Sequence, residues 1–168
     1  MKILHTVESY YPEIGGMPEV VKQLSERLVV LGHDVTVATR KTPKRQSTRI
    51  NGVTIQEFAL NGNAVEGISG DTKSYEDFLL SSRFDIITNF AAQQWETDIA
   101  LALLPKLNAK KVFVPTGFSG FFWENYKGYY EQMKTWMKAY DINVFLSNDY
   151  RDINFARSNG ITKNIIIP

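Results

Sequence analysis

Apolar runs of strand length alternate with segments of helical period from one end of this 168-residue chain to the other, and that alternation restricts the fold more than any other feature. Residues 2–7, 35–39, 84–90, 111–114, 142–146 and 164–167 read as short strands, apolar throughout as buried parallel strands are. Helices are expected over 18–31, 73–82, about 96–107, about 123–140 and about 149–158. The pair Asn51-Gly52 predicts a turn into an alternating strand over 53–58. Residues 41–49, rich in Lys and Arg, read as a solvated loop, and the Gly- and Asn-rich stretch 61–72 reads as a mobile one. Strand–helix–strand order implies a parallel sheet with crossover helices on both faces, a Rossmann-like, doubly wound α/β fold in one domain over residues 1–168.

Composition removes several function classes. A formal charge of +1 with no basic stripe excludes the nucleic-acid signature. The longest apolar runs are far too short to span a bilayer, and the N-terminus lacks an apolar stretch of signal-peptide length, so a cytoplasmic location is expected. Without cysteine there is no disulfide, thiolate nucleophile or Cys-based metal site. His5 and His33 have no ligand-spaced partner and read as structural; no metal or cofactor is expected.

Ligands of such sheets bind at the carboxyl ends of the strands, so the loops of interest are 8–17, 40–49, 90–95, 115–122 and 147–149. In the first, Gly15-Gly16 stands at a helix start. Glycine has no Cβ to hold a ligand off, and free N–H groups there favour an anion such as a diphosphate. The spacing is neither GxGxxG nor a Walker loop, and a plain strand–helix connection accounts for the glycines equally well. Asn89, Gln93 and Gln94 beside Trp95 offer the amides that sugar hydroxyls need, or else Gln93 and Gln94 simply face solvent at a helix entry. Glu96 and Asp98 fall in a first helical turn, where carboxylates suit the dipole. In the loop after 111–114, Thr116, Gly117 and Ser119 with Phe118, Phe121, Phe122 and Trp123 suit stacking on a sugar and bonding its hydroxyls. Ser147 reads as part of a helix cap. Arg40 is placed either to reach an anion or to serve solubility.

Two helices have faces to assign. Val20, Val21, Leu24, Leu28 and Leu31 share one face of 18–31, before a stop at Gly32. In 123–140, Trp123, Tyr126, Tyr130, Met133, Met137 and Tyr140 form an apolar face bordered by Tyr129 and Trp136, with Gly128 predicting an irregular first turn. That face packs in the core or, with Lys127, Lys134 and Lys138 beside it, touches a membrane interface or lipid-linked acceptor.

The run from Tyr10 through Gly15-Gly16 to Val21, with Leu24, Leu28 and Gly32-His33-Asp34-Val35-Thr36-Val37, resembles the start of a family 4 glycosyltransferase of the GT-B fold. Asp141 to Ser147, with Asp149-Tyr150-Arg151, resembles a later segment of that family, as does Gly160-Ile161 with Asn164 to Pro168. The resemblance covers the whole chain but only the first half of such an enzyme, and it implies a C-terminal nucleotide-sugar-binding domain beyond Pro168. It further implies a retaining, metal-independent transferase moving a hexose from a nucleotide sugar to a glycan or lipid-linked acceptor, in cell-envelope polysaccharide synthesis, either in the cytoplasm or peripheral on the inner membrane face. Catalytic residues, a paired-glutamate motif among them, would lie in the second domain, leaving this one inactive alone. Gly15 and Gly16 would meet the donor diphosphate, and Asn89, Gln93, Gln94, Thr116, Gly117, Ser119 and Ser147 the acceptor or sugar. Thr116 occupies a position where many family members carry His; its hydroxyl can bond a sugar but cannot relay a proton. Two other classes stand beside this one: a free-standing ligand-binding or regulatory module, and half of a GT-B nucleotide-sugar epimerase, which would want cleft histidines that loops 90–95 and 115–122 lack.

Overall fold

The structure is a computed structural model describing residues 1–81 and 83–168. The chain begins with β1 (Lys2–Thr6), α1 (Gly16–Val30), β2 (Asp34–Arg40), β3 (Arg49–Ile50) and β4 (Val53–Phe58). A hairpin of β5 (Leu60–Asn63) and β6 (Gly67–Gly70) leads into α2 (Thr72–Ser81). Then follow β7 (Ile86–Phe90), α3 (Trp95–Leu103), β8 (Lys110–Val114), α4 (Lys127–Ala139), β9 (Ile142–Phe145), α5 (Arg151–Ser158) and β10 (Asn164–Ile166). Eight strands form one sheet in the order β10-β9-β8-β7-β1-β2-β4-β3, parallel except for the edge pair β3–β4.

The strand order reverses direction between β1 and β7, which share register from Ile3 opposite Ile86 to Thr6 opposite Asn89. That switch point opens a crevice above the carboxyl ends of the two strands. Each face of the sheet has its own core. On one side α1 packs Met17, Val21, Leu28 and Val29 against Ile3, Val35, Val37, Val53 and Ile55. On the other, α2 to α5 bury Tyr75, Trp95, Ile99, Met133, Met137, Ile153 and Phe155 against Leu4, Ala38, Phe113 and Phe145.

Several expectations need correction. The stretch 61–72 is not a mobile loop but mostly the β5–β6 hairpin. Asn63 Oδ1 accepts from the backbone N–H of both Val65 and Glu66, tightening the turn. Gly62 has φ +94°, and a Cβ there would lie 2.1 Å from the Gly67 carbonyl oxygen, so glycine is needed for the strands to close. The helix expected over 73–82 runs Thr72–Ser81, its last expected residue lying outside the described residues. In α1 the buried face is rotated from the expected one. Val20, Leu24 and Leu31 are exposed, while Ser25 is fully buried because its hydroxyl meets His5 Nδ1 at 2.8 Å. The aromatic face of α4 is core: Tyr126, Tyr130, Met133, Met137 and Tyr140 are all buried, which removes them from any membrane contact. Its first turn is irregular, a 3-10 turn over Glu124–Tyr126.

Candidate functional site

The first wall of the crevice is the loop from β1 to α1. Arg40, at the end of β2, donates to Glu8 Oε1 at 3.4 Å, Glu13 Oε2 at 3.3 Å and Asn61 Oδ1 at 3.3 Å, so it is engaged with the protein's own carboxylates. Arg45 lies deeper, its side chain 1% exposed. It donates to the carbonyls of Tyr10 (3.0 Å), Tyr11 (2.8 Å) and Arg40 (3.2 Å) and pairs with Glu57. The basic stretch 41–49 is therefore no purely solvated loop: one of its arginines is the internal brace of the β1–α1 connection. Nothing in a Lys/Arg-rich run distinguishes the one side chain that turns inward.

Braced in this way, the loop delivers the start of α1 to the crevice with nothing over it. A Cβ on Gly16 would meet no atom within 4 Å, and one on Gly15 only the Pro18 ring at 3.3 Å. Gly15 has φ 178° and ψ 167°, extended backbone open to any residue, so neither glycine is demanded by backbone conformation. The N–H groups of Gly16 and Met17 precede the first intrahelical bond, Glu19 N to Gly15 O, and Pro18 has none to offer. This helix start is open and positively polarised.

The floor is polar but closed. Asn89, expected on the acceptor wall, is fully buried: its Nδ2 donates to Thr6 Oγ1 and its Oδ1 accepts from Tyr140 Oη, both at 2.8 Å. Asn89 and Thr6 are register partners across β7 and β1, so their side chains share a face inside the sheet layer rather than reaching its rim. Glu96 and Asp98 do stand in the first turn of α3, yet both are buried. Asp98 accepts from Tyr129 Oη at 2.6 Å and from Ala64 N at 2.8 Å, and burial raises its pKa. Both carboxyl oxygens of Glu96 are buried without a partner among the described residues. Burial first, and then the nearby Glu8 carboxylate, push its pKa well above the usual range. The clue was in the sequence: Glu96 sits in a helix whose neighbours leave it no polar face.

The second wall comes from the loops after β7 and β8. Among the described residues, four of the five non-glycine positions with positive φ lie here: Ala91, Gln93, Thr116 and Phe118, at +67°, +63°, +59° and +54°. Such backbone persists only where surrounding contacts hold it. Gln93 supplies many of them. Its Oε1 accepts from Tyr130 Oη (2.8 Å), Gly120 N (3.1 Å) and Ser119 Oγ (3.2 Å), and its N–H donates to Tyr129 Oη at 2.9 Å. Gln93 and Ser119 thus tie the two loops to each other. Gly117, at φ +98°, donates its N–H to Asp152 Oδ2 at 2.9 Å, and the Tyr150 ring packs against it so closely that a Cβ would come within 2.7 Å.

A pocket of about 190 Å³ remains beside this wall, lined by Thr116, Gly117, Leu146, Ser147, Tyr150 and Asp152. Ser147 does not cap α5, whose first residue follows Tyr150 with no side-chain cap; its hydroxyl instead bonds the backbone of Asp149. Gln94, only partly exposed, holds a buried Oε1 without a partner among the described residues. Thr116 stands after β8, two strand positions from β1, which places it roughly 10 Å along the same edge from the β1–α1 loop. Among the described residues no group of His, Asp or Glu is arranged to hold a metal, and no helix is long and apolar enough to cross a membrane.

The model of Glycosyltransferase Family 4 matches residues 14–160. No curated protein matches significantly. Among solved structures, sucrose-phosphate synthase from Thermosynechococcus elongatus superposes with a TM-score of 0.69 over 99% of this chain and 47% of its own, at 14% identity. The catalytic domain of starch synthase IV from Arabidopsis thaliana, bound to ADP and acarbose, gives 0.63 over 98% and 50%, at 12% identity. At such identity the likeness is one of fold, and the chain spans about half the length of either structure.

Proposed function

This chain belongs to glycosyltransferase family 4, and we propose that it is the N-terminal, acceptor-side domain of a retaining hexosyltransferase that uses a nucleotide sugar and a glycan or lipid-linked acceptor. The observation that carries this reading is the unobstructed start of α1 at the sheet's switch point, with the Thr116 pocket two strands away on the same sheet edge. Backbone N–H groups there receive the donor diphosphate, and the missing Cβ of Gly16 lets its oxygens come close. The hydroxyl of Thr116 then faces the sugar or acceptor, while Ser147, Gln94, Gln93, Ser119 and Gly117 shape the wall. A second domain supplies most of the nucleotide contacts and the catalytic carboxylates, and polysaccharide synthesis at the cytoplasmic face of the envelope is the setting we assign.

Thr116→Val tests the site in the full-length enzyme, since it keeps shape and deletes one hydroxyl. Loss of a hydrogen bond to sugar costs about 0.5–1.5 kcal/mol, a few-fold to tenfold in acceptor KM, with the melting temperature unchanged. Unaltered kinetics would remove Thr116 from the site. The 168-residue chain alone should turn over no nucleotide sugar; turnover above trace contamination would place catalysis within it.

A further inference from the structure

Beyond the Thr116 pocket, a second concavity of about 460 Å³ runs along α5 and is walled by Phe121, Phe122, Tyr150, Arg151 and Asn154. Its rings are open to water. Phe122 is 77% exposed and Tyr150 47%, with Trp123 next in the chain at 55%. Apolar rings clustered at the surface mark a place where something docks. They are also held in position. The Arg151 guanidinium lies 5.6 Å from the Phe122 ring centroid and 5.2 Å from that of Tyr150. Its Nη1 donates to the carbonyls of Phe118 and Ser119 at 3.4 and 3.3 Å, and its Nη2 to Tyr150 Oη at 3.2 Å.

We propose that this groove is a second sugar subsite, binding a pyranose unit of an extended, uncharged glycan acceptor whose terminal sugar occupies the Thr116 pocket. Exposed aromatic rings edged by an amide and a carboxylate match a pyranose ring, which has apolar C–H faces and a rim of hydroxyls. Asn154 and Asp149 supply that edge, already joined by a 2.8 Å bond from Asn154 Nδ2 to Asp149 Oδ1. The one cation, Arg151, has Asp149 beside it and its N–H groups turned to carbonyls and a phenol. The groove therefore presents no excess of positive charge for a phosphate, an anionic lipid surface or a nucleic acid. Tyr150 lines both concavities, so a chain of sugars can pass from one to the other across a single ring. Rings already held by Arg151 lower the cost of ordering on binding.

The proposal rests on the acceptor reading of the Thr116 pocket, and a titration can separate the two. The purified chain is titrated with maltoheptaose, cellohexaose and chitohexaose, and with glucose and N-acetylglucosamine, following the fluorescence of Trp123 and its fellow tryptophans. At least one oligosaccharide should bind saturably, and its monosaccharide much more weakly. Phe122→Ala and Asn154→Ala, both at exposed positions, should each weaken that oligosaccharide about three- to tenfold without shifting the melting temperature. Loss of binding in Thr116→Val alone, with both groove variants unchanged, would overturn the groove and leave the acceptor pocket standing. Loss in the groove variants alone would keep the groove and overturn the pocket as its partner. Failure of all three oligosaccharides, or binding of phosphatidylglycerol vesicles in their place, overturns the proposal.

Discussion

The two walls of the crevice sit on the same sheet edge but are held by different forces. The β1–α1 loop is fixed by guanidinium groups, Arg40 on two carboxylates and Arg45 on three backbone carbonyls and Glu57. The loops after β7 and β8 are fixed by aromatic packing and by the amide of Gln93, which together hold backbone in positive-φ conformations. A charged brace grips the loop from behind and leaves its front, Gly16, bare. An aromatic brace uses up much of the wall it builds, so that Gln93 and Ser119 are bonded to one another, Ser147 is bonded to the Asp149 backbone, and Thr116 is left to offer a hydroxyl.

If the braces are independent, Arg45→Ala should damage one wall only. It leaves three carbonyls and the Glu57 carboxylate without their cation, at a cost of about 3–5 kcal/mol and a fall of ~10 °C in melting temperature. Hydrogen exchange should rise over residues 8–15 and stay unchanged over 116–121. Equal loosening of both walls would show that they are one unit.

Acid is expected to act through His5, which belongs to neither wall. Burial lowers its pKa from 6.5 to about 4. The unfolded chain therefore takes up a proton first, and the stability present above pH 6.5 is lost as pH falls towards 4, by about 3 kcal/mol. Urea unfolding of His5→Gln between pH 7 and 4 should lack that slope. Glu96 has the opposite sign: its pKa is raised in the fold, so its contribution is intact below the unfolded value near 4.5 and erodes as pH rises. Glu96→Gln should flatten stability above pH 5, whereas an unchanged slope would mean that its carboxylate finds compensation in the crevice floor.

On the aromatic side, Gly117→Ala combines φ +98° with a 2.7 Å approach to Tyr150, for a loss of about 1–3 kcal/mol. It should displace the Tyr150 ring and alter acceptor use while donor KM is kept. A change confined to donor KM would reverse the assignment of the two walls.

The doubly wound sheet was legible because each core strand and helix announces its period, and the resemblance at both ends agreed with that order. What escaped were groups whose placement depends on partners distant in the chain. Asn89 looked like a rim residue until Thr6 and Tyr140 enclosed it, 83 and 51 residues away. Arg45 looked solvated because its neighbours are, and the 61–72 hairpin was hidden by glycines that are read as mobility when they serve close approach. The positions of Thr116 and Gly16 on one sheet edge were legible because both follow strands whose edge is set by topology alone.

The smallest structural change probes the central claim, that the bare start of α1 receives the donor. Gly16→Ala adds a methyl group that meets nothing in the protein and replaces a first-turn glycine, so stability should hold or rise by up to about 1 kcal/mol. Nothing within this domain clashes with it, so an effect on donor use reports on what binds at the helix start. Measured side by side in the full-length enzyme, the account predicts an unchanged or higher melting temperature together with a donor KM raised about tenfold or more. A donor KM equal to that of the parent, in a variant that melts normally, would contradict it.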